Sequence, residues 1–275
     1  MTENRTDLNQ EREMTFLDHL EILRWHLIRS IAAIFIFAIV AFIFHDFIFD
    51  KVIFAPKRPD FWTNRMLCAF GSLFGTEILC INSKDFEIFN INFTGQFSTH
   101  IIVSLVLGII LSFPYIFWEF WKFIRPALYD MEKKHSRGAL FSSSGLFLLG
   151  VLFGYYLIIP LTVHFLGSYS VSANVQNEIN LNSYISTLTS IVLAAGVIFE
   201  LPVLVYFLAK VGLISSDFLK KYRKHSVVVI LALSAIITPP DVFSQVLVCL
   251  PLLGLYQVGI YIAKRIEKKN ALAEV

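Results

Sequence analysis

The chain has 275 residues, of which 56% are hydrophobic and 27 are phenylalanine, and its formal net charge at pH 7 is +2. Its mean hydropathy is +0.66, and its apolar residues are clustered in runs, which excludes an ordinary soluble domain. The small net charge gives no indication of nucleic-acid binding, so the composition indicates a membrane protein that crosses the bilayer several times.

Six apolar runs predict six membrane-spanning helices, because a spanning helix needs about 20 apolar residues at about 1.5 Å rise per residue. They cover residues 31–44 (extending through 27–49), 101–118, 138–163, 185–209, 226–238 and 242–263. The fifth run is short: its 13 residues reach about 20 Å across a hydrocarbon core of about 30 Å. Either the bilayer thins locally there, or the hairpin of the fifth and sixth helices stops short of the far surface.

Lysine and arginine residues are distributed unevenly among the connections between these runs. Eighteen of the 23 lie before the first run, between the second and third, between the fourth and fifth, or after the sixth. Because cytoplasmic segments retain positive charge, both termini are predicted to be cytoplasmic. The chain is then one polytopic domain with cytoplasmic segments at 1–26, about 121–138 and 264–275 and a periplasmic loop at about 45–99.

The predicted periplasmic loop contains Cys68 and Cys80. A compartment outside the bacterial cytoplasm is oxidising, so these cysteines are candidates for a disulfide; the alternative is two free thiols at apolar positions. The third cysteine, Cys249, lies inside the sixth run, where a packing role is expected.

The segment between the second and third runs, residues 121–134, reads W-K-F-I-R-P-A-L-Y-D-M-E-K-K. It is rich in basic and aromatic side chains, yet it contains no nucleophile with a base, no metal-ligand cluster and no glycine-rich phosphate loop. This composition is typical of a recognition surface at the face of a membrane.

Glu200 is the single charged residue in the fourth run. An unpaired carboxylate is costly inside a bilayer, so its side chain is expected to face a partner, a cavity or water. A structural hydrogen bond within the bundle is the alternative, and the functional interpretation is favoured.

The turn between the fifth and sixth runs reads Thr238, Pro239, Pro240, Asp241. This is the T-x-x-D pattern of a capping box with proline at the first helical position, so it predicts the start of the sixth helix. Four further prolines lie within the apolar runs and predict bent helices whose freed carbonyls need other donors; they are residues 114, 160, 202 and 251.

The motifs of the common enzyme classes are missing from the sequence, including H-E-x-x-H, C-x-x-C and G-x-S-x-G. We therefore predict that the protein is not an enzyme and uses neither a metal nor another cofactor. Two other classes remain open: a proton-coupled transporter that titrates Glu200, and a structural membrane scaffold.

Four segments, in order and at matching spacing, resemble the TatC subunit family of twin-arginine translocases over nearly the whole chain. They are F-L-D-H-L-E-I-L-R-W-H-L near the amino terminus, F-I-R-P-A-L-Y-D-M-E-K-K, G-V-I-F-E-L-P-V around Glu200 and T-P-P-D-V-F-S-Q. The resemblance implies an all-α membrane protein of six helices in a concave, glove-like bundle with two short final helices.

The family resemblance also implies a receptor in the bacterial inner membrane. Such a protein binds twin-arginine signal peptides of folded cargo at the cytoplasmic face. It also assembles with single-span subunits of the TatA and TatB type into a hetero-oligomer driven by the proton-motive force. Glu132 matches the family's signal-binding glutamate, and Phe123, Pro126, Leu128 and Tyr129 match the same motif.

Three positions depart from the family pattern, and the first is in the amino-terminal segment. In the amino-terminal H-L-x-E-L-R pattern, Arg24 matches but Ile22 stands where a second signal-binding glutamate is expected. Glu21 is displaced by about 100° on a helix, and Asp18 is nearly on the face of Ile22, so either could supply the missing charge, or Glu132 acts alone.

The other departures concern Gln257 and His26. Gln257 lies where members often carry glutamate, which removes a possible charged contact within the membrane. His26 stands where arginine is usual in the family.

Overall fold

The computed structural model describes residues 16–73, 87–124, 136–172, 174, 177–238 and 242–273. Eleven α-helical segments make up most of this described part. They are α1 (Phe16–Ile43), α2 (His45–Phe47), α3 (Trp62–Leu73), α4 (Gly95–Ile124), α5 (Ser136–Phe153), α6 (Ile159–Ser168), α7 (Leu181–Phe199), α8 (Leu201–Lys210), α9 (Ser216–Lys221), α10 (Arg223–Ile237) and α11 (Val242–Ala273).

Several short elements complete the described part. Ile48–Ile53 and Gly154–Ile158 form π-helical turns, and Ala55–Lys57 forms a 3-10 turn. Strands β1 (Ile88–Phe89) and β2 (Ile179–Asn180) pair in parallel, with Ile88 opposite Ile179. This two-residue ladder is a small exception to the all-α prediction, and it joins two connections that are distant in sequence.

Five stretches are long and apolar enough to cross a membrane, and they correspond to the first four predicted spans and the last. They are Leu20–Ile43, Gly95–Phe123, Leu140–Ser168, Leu181–Lys210 and Gln245–Lys269. The helix α10, at the place of the predicted fifth span, has 15 residues and a length of about 22 Å. It is short, as its apolar run indicates, so the count of six spans stays a prediction.

The expectation that both final helices are short is wrong for the last one. Helix α11 has 32 residues and continues to Ala273. Beyond residue 263 the sequence K-R-I-E-K-K-N-A-L-A is composed mostly of strong helix formers, so the helix extends past its apolar run. Most of the predicted polar tail is therefore helical.

Helix α1 packs along α4 and presents most of its other surface outward. At their crossing, a Cβ on Gly108 would lie 2.7 Å from the carbonyl oxygen of Ile34 and 2.9 Å from the Cβ of Ala38. Only glycine permits this approach of the two backbones, a small-residue contact that is typical of membrane helices. The apolar side chains on the outward face of α1 suit contact with lipid.

The core of the bundle is formed mainly by α4, α5 and α7, with Phe147 and Ile185 almost completely buried at its centre. The ring of Phe147 stacks on Phe113 of α4 at a centroid distance of 3.6 Å. Gly150 permits close packing of α5 on α7, because a Cβ there would lie 2.6 Å from the carbonyl oxygen of Ala195. Both helices are thereby fixed around one tightly packed centre.

The segment 45–73 is fixed to the membrane-spanning helices by three hydrogen bonds. Tyr155 and Tyr184 donate their hydroxyls to the carbonyl oxygens of Val52 and Ile53, at 2.7 and 2.8 Å. The third bond runs from the hydroxyl of Thr63 on α3 to the carbonyl oxygen of Tyr156. We call the end of the bundle that holds this segment the loop end, and the opposite end, near His26 and Glu267, the terminal end.

The Thr63 hydrogen bond supplies a donor to a carbonyl group that Pro160 leaves without its helical partner. Proline has no N–H, so the carbonyl four residues earlier, that of Tyr156, loses its helical partner. Thr63 supplies the donor, as the sequence-based expectation of neighbouring donors requires. The π-helical turn Gly154–Ile158 adds to the irregularity at the same place, where such turns and prolines commonly bend helices.

The fourth predicted span is divided into two helices. Helix α7 ends at Phe199 and α8 begins at Leu201, with Glu200 between them and Pro202 in the first turn of α8. The amide of Glu200 donates to the carbonyl oxygens of Val197 and Ile198, which closes α7. Glu200 therefore lies at a break between two helices of one predicted span.

Candidate functional site

Most of the predicted signal-binding motif lies outside the described residues, namely Pro126, Leu128, Tyr129 and Glu132. Phe123 is described: it lies in the last turn of α4 and is partly buried. Its predicted contact with a signal peptide stays a prediction.

The predicted amino-terminal contributors lie on α1. Glu21 and Arg24 are exposed, as is Ile22, and Asp18 belongs to the first turn of the helix. Because 18 and 22 are both helical positions, they are one turn apart on similar faces, whereas 21 and 22 are about 100° apart. That Asp18 or Glu21 supplies the charge missing at Ile22, or that Glu132 acts alone, stays a prediction.

The structure brings the terminal ends of α1 and α4 together through His26. Its ring lies 6.3 Å from the ring of Phe123, edge to face, and its Nδ1 lies 2.5 Å from Oε2 of Glu119. Glu21 and Arg24 on α1 and Phe123 on α4 are therefore carried by one packed helix pair at the same end of the bundle.

Glu119 is the centre of a cationic cluster that sequence reasoning missed. Its side chain is only 1% exposed, and Oε1 accepts a hydrogen bond from Lys122 Nζ at 2.8 Å. Arg29 Nη1 lies 3.8 Å from Oε2, the oxygen that also contacts His26. Both carboxylate oxygens are thus occupied by basic groups, which offsets the cost of burying the charge.

Lys122 has a second contact that limits its mobility. Its Nζ lies 4.1 Å from the ring centroid of Trp118, within the range of a cation–π interaction. The pair Glu119 and Lys122, spaced i,i+3, was the available sequence signal for an ion pair. The contact to His26 spans 93 residues, so no local pattern indicates it.

Glu200 has a very different environment. Its Oε2 accepts a hydrogen bond from Ser143 Oγ on α5 at 2.8 Å, which meets the expectation of a polar neighbour on another helix. The other oxygen, Oε1, is buried and has no hydrogen-bond partner within the described residues, and the same holds for Ser144 Oγ. The carboxylate therefore retains an unused acceptor at the α7–α8 break.

Gln257, the other predicted intramembrane polar contact, lies on an exposed position of α11. Among the described residues it has no hydrogen bond to Glu200, so the structure does not join the two predicted polar positions. Its exposure leaves the amide accessible from outside the bundle.

The predicted hairpin turn and disulfide are described only in part. Pro239, Pro240 and Asp241 lie outside the described residues, and the Thr238 hydroxyl donates back to the carbonyl oxygen of Ser234 at 2.7 Å. This bond closes α10, whereas the capping-box prediction assigned Thr238 to the start of the following helix.

Of the cysteines, Cys68 on α3 is disulfide-bonded and Cys249 on α11 is a buried free thiol. Cys80 lies outside the described residues, so its pairing with Cys68 stays a prediction. Within the described ranges, no group of three or more histidine, cysteine or acidic side chains could hold a metal ion.

The five spans define a multi-pass membrane protein, and its candidate sites are polar groups carried on those helices. A sequence model of the family "Sec-independent protein translocase protein (TatC)" matches residues 18–251. The chain belongs to this TatC family.

Individual relatives agree with this assignment over nearly the full length. The TatC protein of Blattabacterium sp. subsp. Periplaneta americana is 43% identical over 264 residues, which is 95% of this chain and 99% of that protein. The TatC protein of Aquifex aeolicus is 33% identical over 258 residues, 94% of this chain and 98% of that protein.

Among solved structures, a crystal structure of the twin-arginine translocase receptor TatC is similar, with a TM-score of 0.66 at 33% identity. It covers 90% of this chain and 99% of that chain. A crystal structure of the receptor in the detergent DDM gives a TM-score of 0.69 at the same identity, covering 89% and 99%.

Proposed function

We propose that this protein is the receptor subunit of a twin-arginine translocase and binds Arg-Arg signal peptides of folded proteins at the terminal end of α1 and α4. The observation that carries the proposal is the Glu119–His26 contact. It packs α1, which carries the exposed residues Glu21 and Arg24, against the end of α4, which carries Phe123 and is followed in sequence by the segment that contains Glu132. The family assignment supports the same role.

Recognition rests on carboxylates and apolar walls. Two adjacent guanidinium groups form strong, often bidentate hydrogen bonds with carboxylates in a partly dehydrated site. Glu132 supplies the principal carboxylate, and Asp18 or Glu21 supplies a second one in place of the absent glutamate at Ile22. Phe123, Pro126, Leu128 and Tyr129 form the walls that contact the residues flanking the arginines.

Glu119 does not bind the arginines in this proposal. Both of its oxygens already contact basic side chains, and its side chain is almost completely buried. It serves to fix α1 on α4, so that the carboxylates and Phe123 keep their relative positions.

Orientation follows from charge. The terminal end faces the cytoplasm, both termini are cytoplasmic, and the bundle of six spans lies in the bacterial inner membrane. Signal peptides reach the site from the cytoplasm, where folded cargo is made.

Assembly with single-span subunits of the TatA and TatB type uses the membrane-embedded polar groups. The free Oε1 of Glu200 accepts a hydrogen bond from a polar side chain on the partner's helix, and the exposed amide of Gln257 offers a further contact. Hydrogen bonds of this kind between membrane helices favour association. The resulting hetero-oligomer passes folded cargo across the membrane at the expense of the proton-motive force.

Photo-crosslinking of the full chain in lipid nanodiscs tests signal recognition. A photoreactive phenylalanine analogue is placed at Phe123 or Tyr129, and at Phe93, which is fully exposed near the loop end, as the control. A labelled signal peptide with Arg-Arg is expected to crosslink at 123 and 129, and the Lys-Lys peptide much less. Equal labelling by both peptides, or labelling at 93 alone, would contradict the proposal.

A further inference from the structure

A groove of about 440 Å³ lies between α6 and α7 at the loop end of the bundle. Residues of α6 at 159, 162, 163 and 166 line one side, and residues of α7 at 183, 184, 187, 188 and 191 line the other, with 177–180 before α7 completing the wall. Both sets follow the helical repeat, so each helix presents one continuous face to the groove. Its volume is in the range of pockets that hold small ligands.

The groove follows from the irregular backbone before α6. At Pro160 the carbonyl of Tyr156 is bonded by Thr63 of the 45–73 segment, and α6 packs against the Ala55–Lys57 turn of the same segment. These contacts hold α6 toward that segment, and space remains between it and α7. The groove therefore lies beside a helix that is fixed by specific contacts to the 45–73 segment.

Thr162 is the clearest sign that the groove has an occupant. Its side chain is 1% exposed, and its hydroxyl has no hydrogen-bond partner within the described residues. Thr99 and Thr189 in helices, and Thr238 directly after one, donate to the carbonyl four residues earlier at 2.9, 2.7 and 2.7 Å. Thr162 departs from this pattern, and a buried hydroxyl without a partner is costly.

The mouth of the groove carries a carboxylate and amide groups. Glu178 lies there, and the connection from residue 166 to 184 contains no lysine or arginine. The side-chain amide nitrogen of Asn177 donates to the carbonyl oxygen of Tyr169 at 2.6 Å. The side-chain oxygen of Asn177 is left as an acceptor. Acceptors thus dominate the mouth, while the deeper walls combine hydroxyls of Thr162, Ser183 and Thr187 with aliphatic side chains.

We propose that this groove binds a phospholipid with a primary-amine headgroup, of the phosphatidylethanolamine type. The ammonium group donates hydrogen bonds to Glu178 and to the carbonyl oxygen of Asn177. The Thr162 hydroxyl donates to a phosphate or ester oxygen, and the aliphatic walls contact the first part of the acyl chains. Because the groove lies between two membrane helices and is half apolar, a lipid suits it better than a soluble amine.

Native mass spectrometry of the full chain released from detergent tests this proposal by counting retained lipids. Three lipids with the same acyl chains are compared: phosphatidylethanolamine, phosphatidylcholine, whose trimethylated nitrogen has no N–H donor, and anionic phosphatidylglycerol. We expect retention of phosphatidylethanolamine to exceed that of the other two about fivefold or more, as for a charge-assisted hydrogen bond.

Variants localise the lipid. Glu178→Gln and Thr162→Val are each expected to lower phosphatidylethanolamine retention at least about threefold, while Thr162→Ser, which keeps the hydroxyl, retains the lipid. Asp60→Asn removes another exposed carboxylate from the loop end and serves as the control. Because Glu178 is exposed, its variant tests the proposal even if Thr162→Val fails to fold.

Three results would overturn the proposal. One is equal retention of phosphatidylethanolamine and phosphatidylcholine by the unaltered protein. Another is unchanged retention in Glu178→Gln. The third is displacement of the lipid when a single-span partner is added, together with a crosslink from the groove to the amino terminus of that partner. In that case Glu178 and the side-chain oxygen of Asn177 would bind the partner's terminal ammonium group instead of a lipid.

Discussion

Glu119 and Glu200 are both carboxylates on membrane-spanning helices, but their neighbours differ in number and in charge. Glu119, near the terminal end, contacts His26, Lys122 and Arg29 through its two oxygens. Glu200, at the α7–α8 break, accepts one hydrogen bond from Ser143, and its second oxygen has no partner within the described residues.

This difference in bonding partners indicates two different roles for a buried carboxylate. A carboxylate whose oxygens are already bonded to basic groups joins the elements that carry those groups, here α1 and α4, and has little capacity for another ligand. A carboxylate with an unused acceptor has a reason to bind something else, because leaving it without a partner in the membrane is costly. Mutating each in turn therefore has distinct expected effects on stability, signal binding and assembly.

The largest effect is expected from Glu119→Leu. Removing one partner of a buried ion pair costs about 3–5 kcal/mol, and because Lys122 is partly exposed and can turn to water, we expect about 3 kcal/mol. Denaturation in mixed detergent micelles measures the loss in free energy of unfolding.

Asp217→Asn is the matched control for this variant, since Asp217 forms an exposed i,i+3 pair with Lys220 at 3.0 Å. Such a pair contributes at most about 0.5 kcal/mol. If Glu119→Leu were as stable as this control, the cluster would not join α1 to α4.

Glu132→Ala extends the comparison to a carboxylate whose proposed role is signal binding and not the joining of helices. The affinity for an Arg-Arg signal peptide should fall by about 2 kcal/mol, or about 30-fold in Kd, because a partly dehydrated charge pair is lost. Fluorescence anisotropy with a labelled peptide measures Kd, and the free energy of unfolding should stay unchanged. An unaltered Kd would refute the role given to Glu132.

Glu200→Leu should weaken assembly with a single-span partner about tenfold, equivalent to about 1.4 kcal/mol, while signal-peptide affinity stays the same. Glu200→Gln keeps the shape and most of the hydrogen bonding, so it should be tolerated. Co-purification of the partner at several concentrations measures the change. A leucine variant that assembles normally would show that the free oxygen has no role in assembly.

The smallest effects are expected near Ile22. Asp18→Ala or Glu21→Ala should each weaken signal binding by at most about 1 kcal/mol, as for a solvent-screened charge pair, and Ile22→Glu should strengthen binding or leave it unchanged. Peptide titration of the three variants identifies the compensating residue. Normal binding by both alanine variants would mean that no amino-terminal carboxylate compensates.

The positions of the spans were predictable from sequence because a helix that crosses the hydrocarbon core needs a long run of apolar residues. The structure has helices long and apolar enough to cross a membrane at the places of the first four predicted spans and the last, and the shortness of α10 is visible in its 13-residue run. The extent of α11 was not, since its last turns are stabilised by helix-forming residues rather than by an apolar face.

The candidate sites were less predictable than the spans. The need of Glu200 for a polar neighbour follows from the cost of a charge in the membrane, but its partner Ser143 and the helix break at the same place depend on tertiary packing. Glu119 directly follows the apolar run at 101–118, so the run itself gives no indication that this carboxylate is buried. Its partner His26 is remote in sequence and was noted only as a departure from a family pattern.

The pairing of α1 with α4 has a consequence for biosynthesis. His26 is translated 93 residues before Glu119, an interval of about 5–19 s at ordinary rates of bacterial elongation. During that time α1 has left the ribosome without the helix on which it packs, so lipid must solvate its whole apolar surface. The apolar outward face that α1 keeps in the finished protein is suited to contact with lipid during this interval. The ionic contact of His26 with Glu119 forms only after α4 has been inserted.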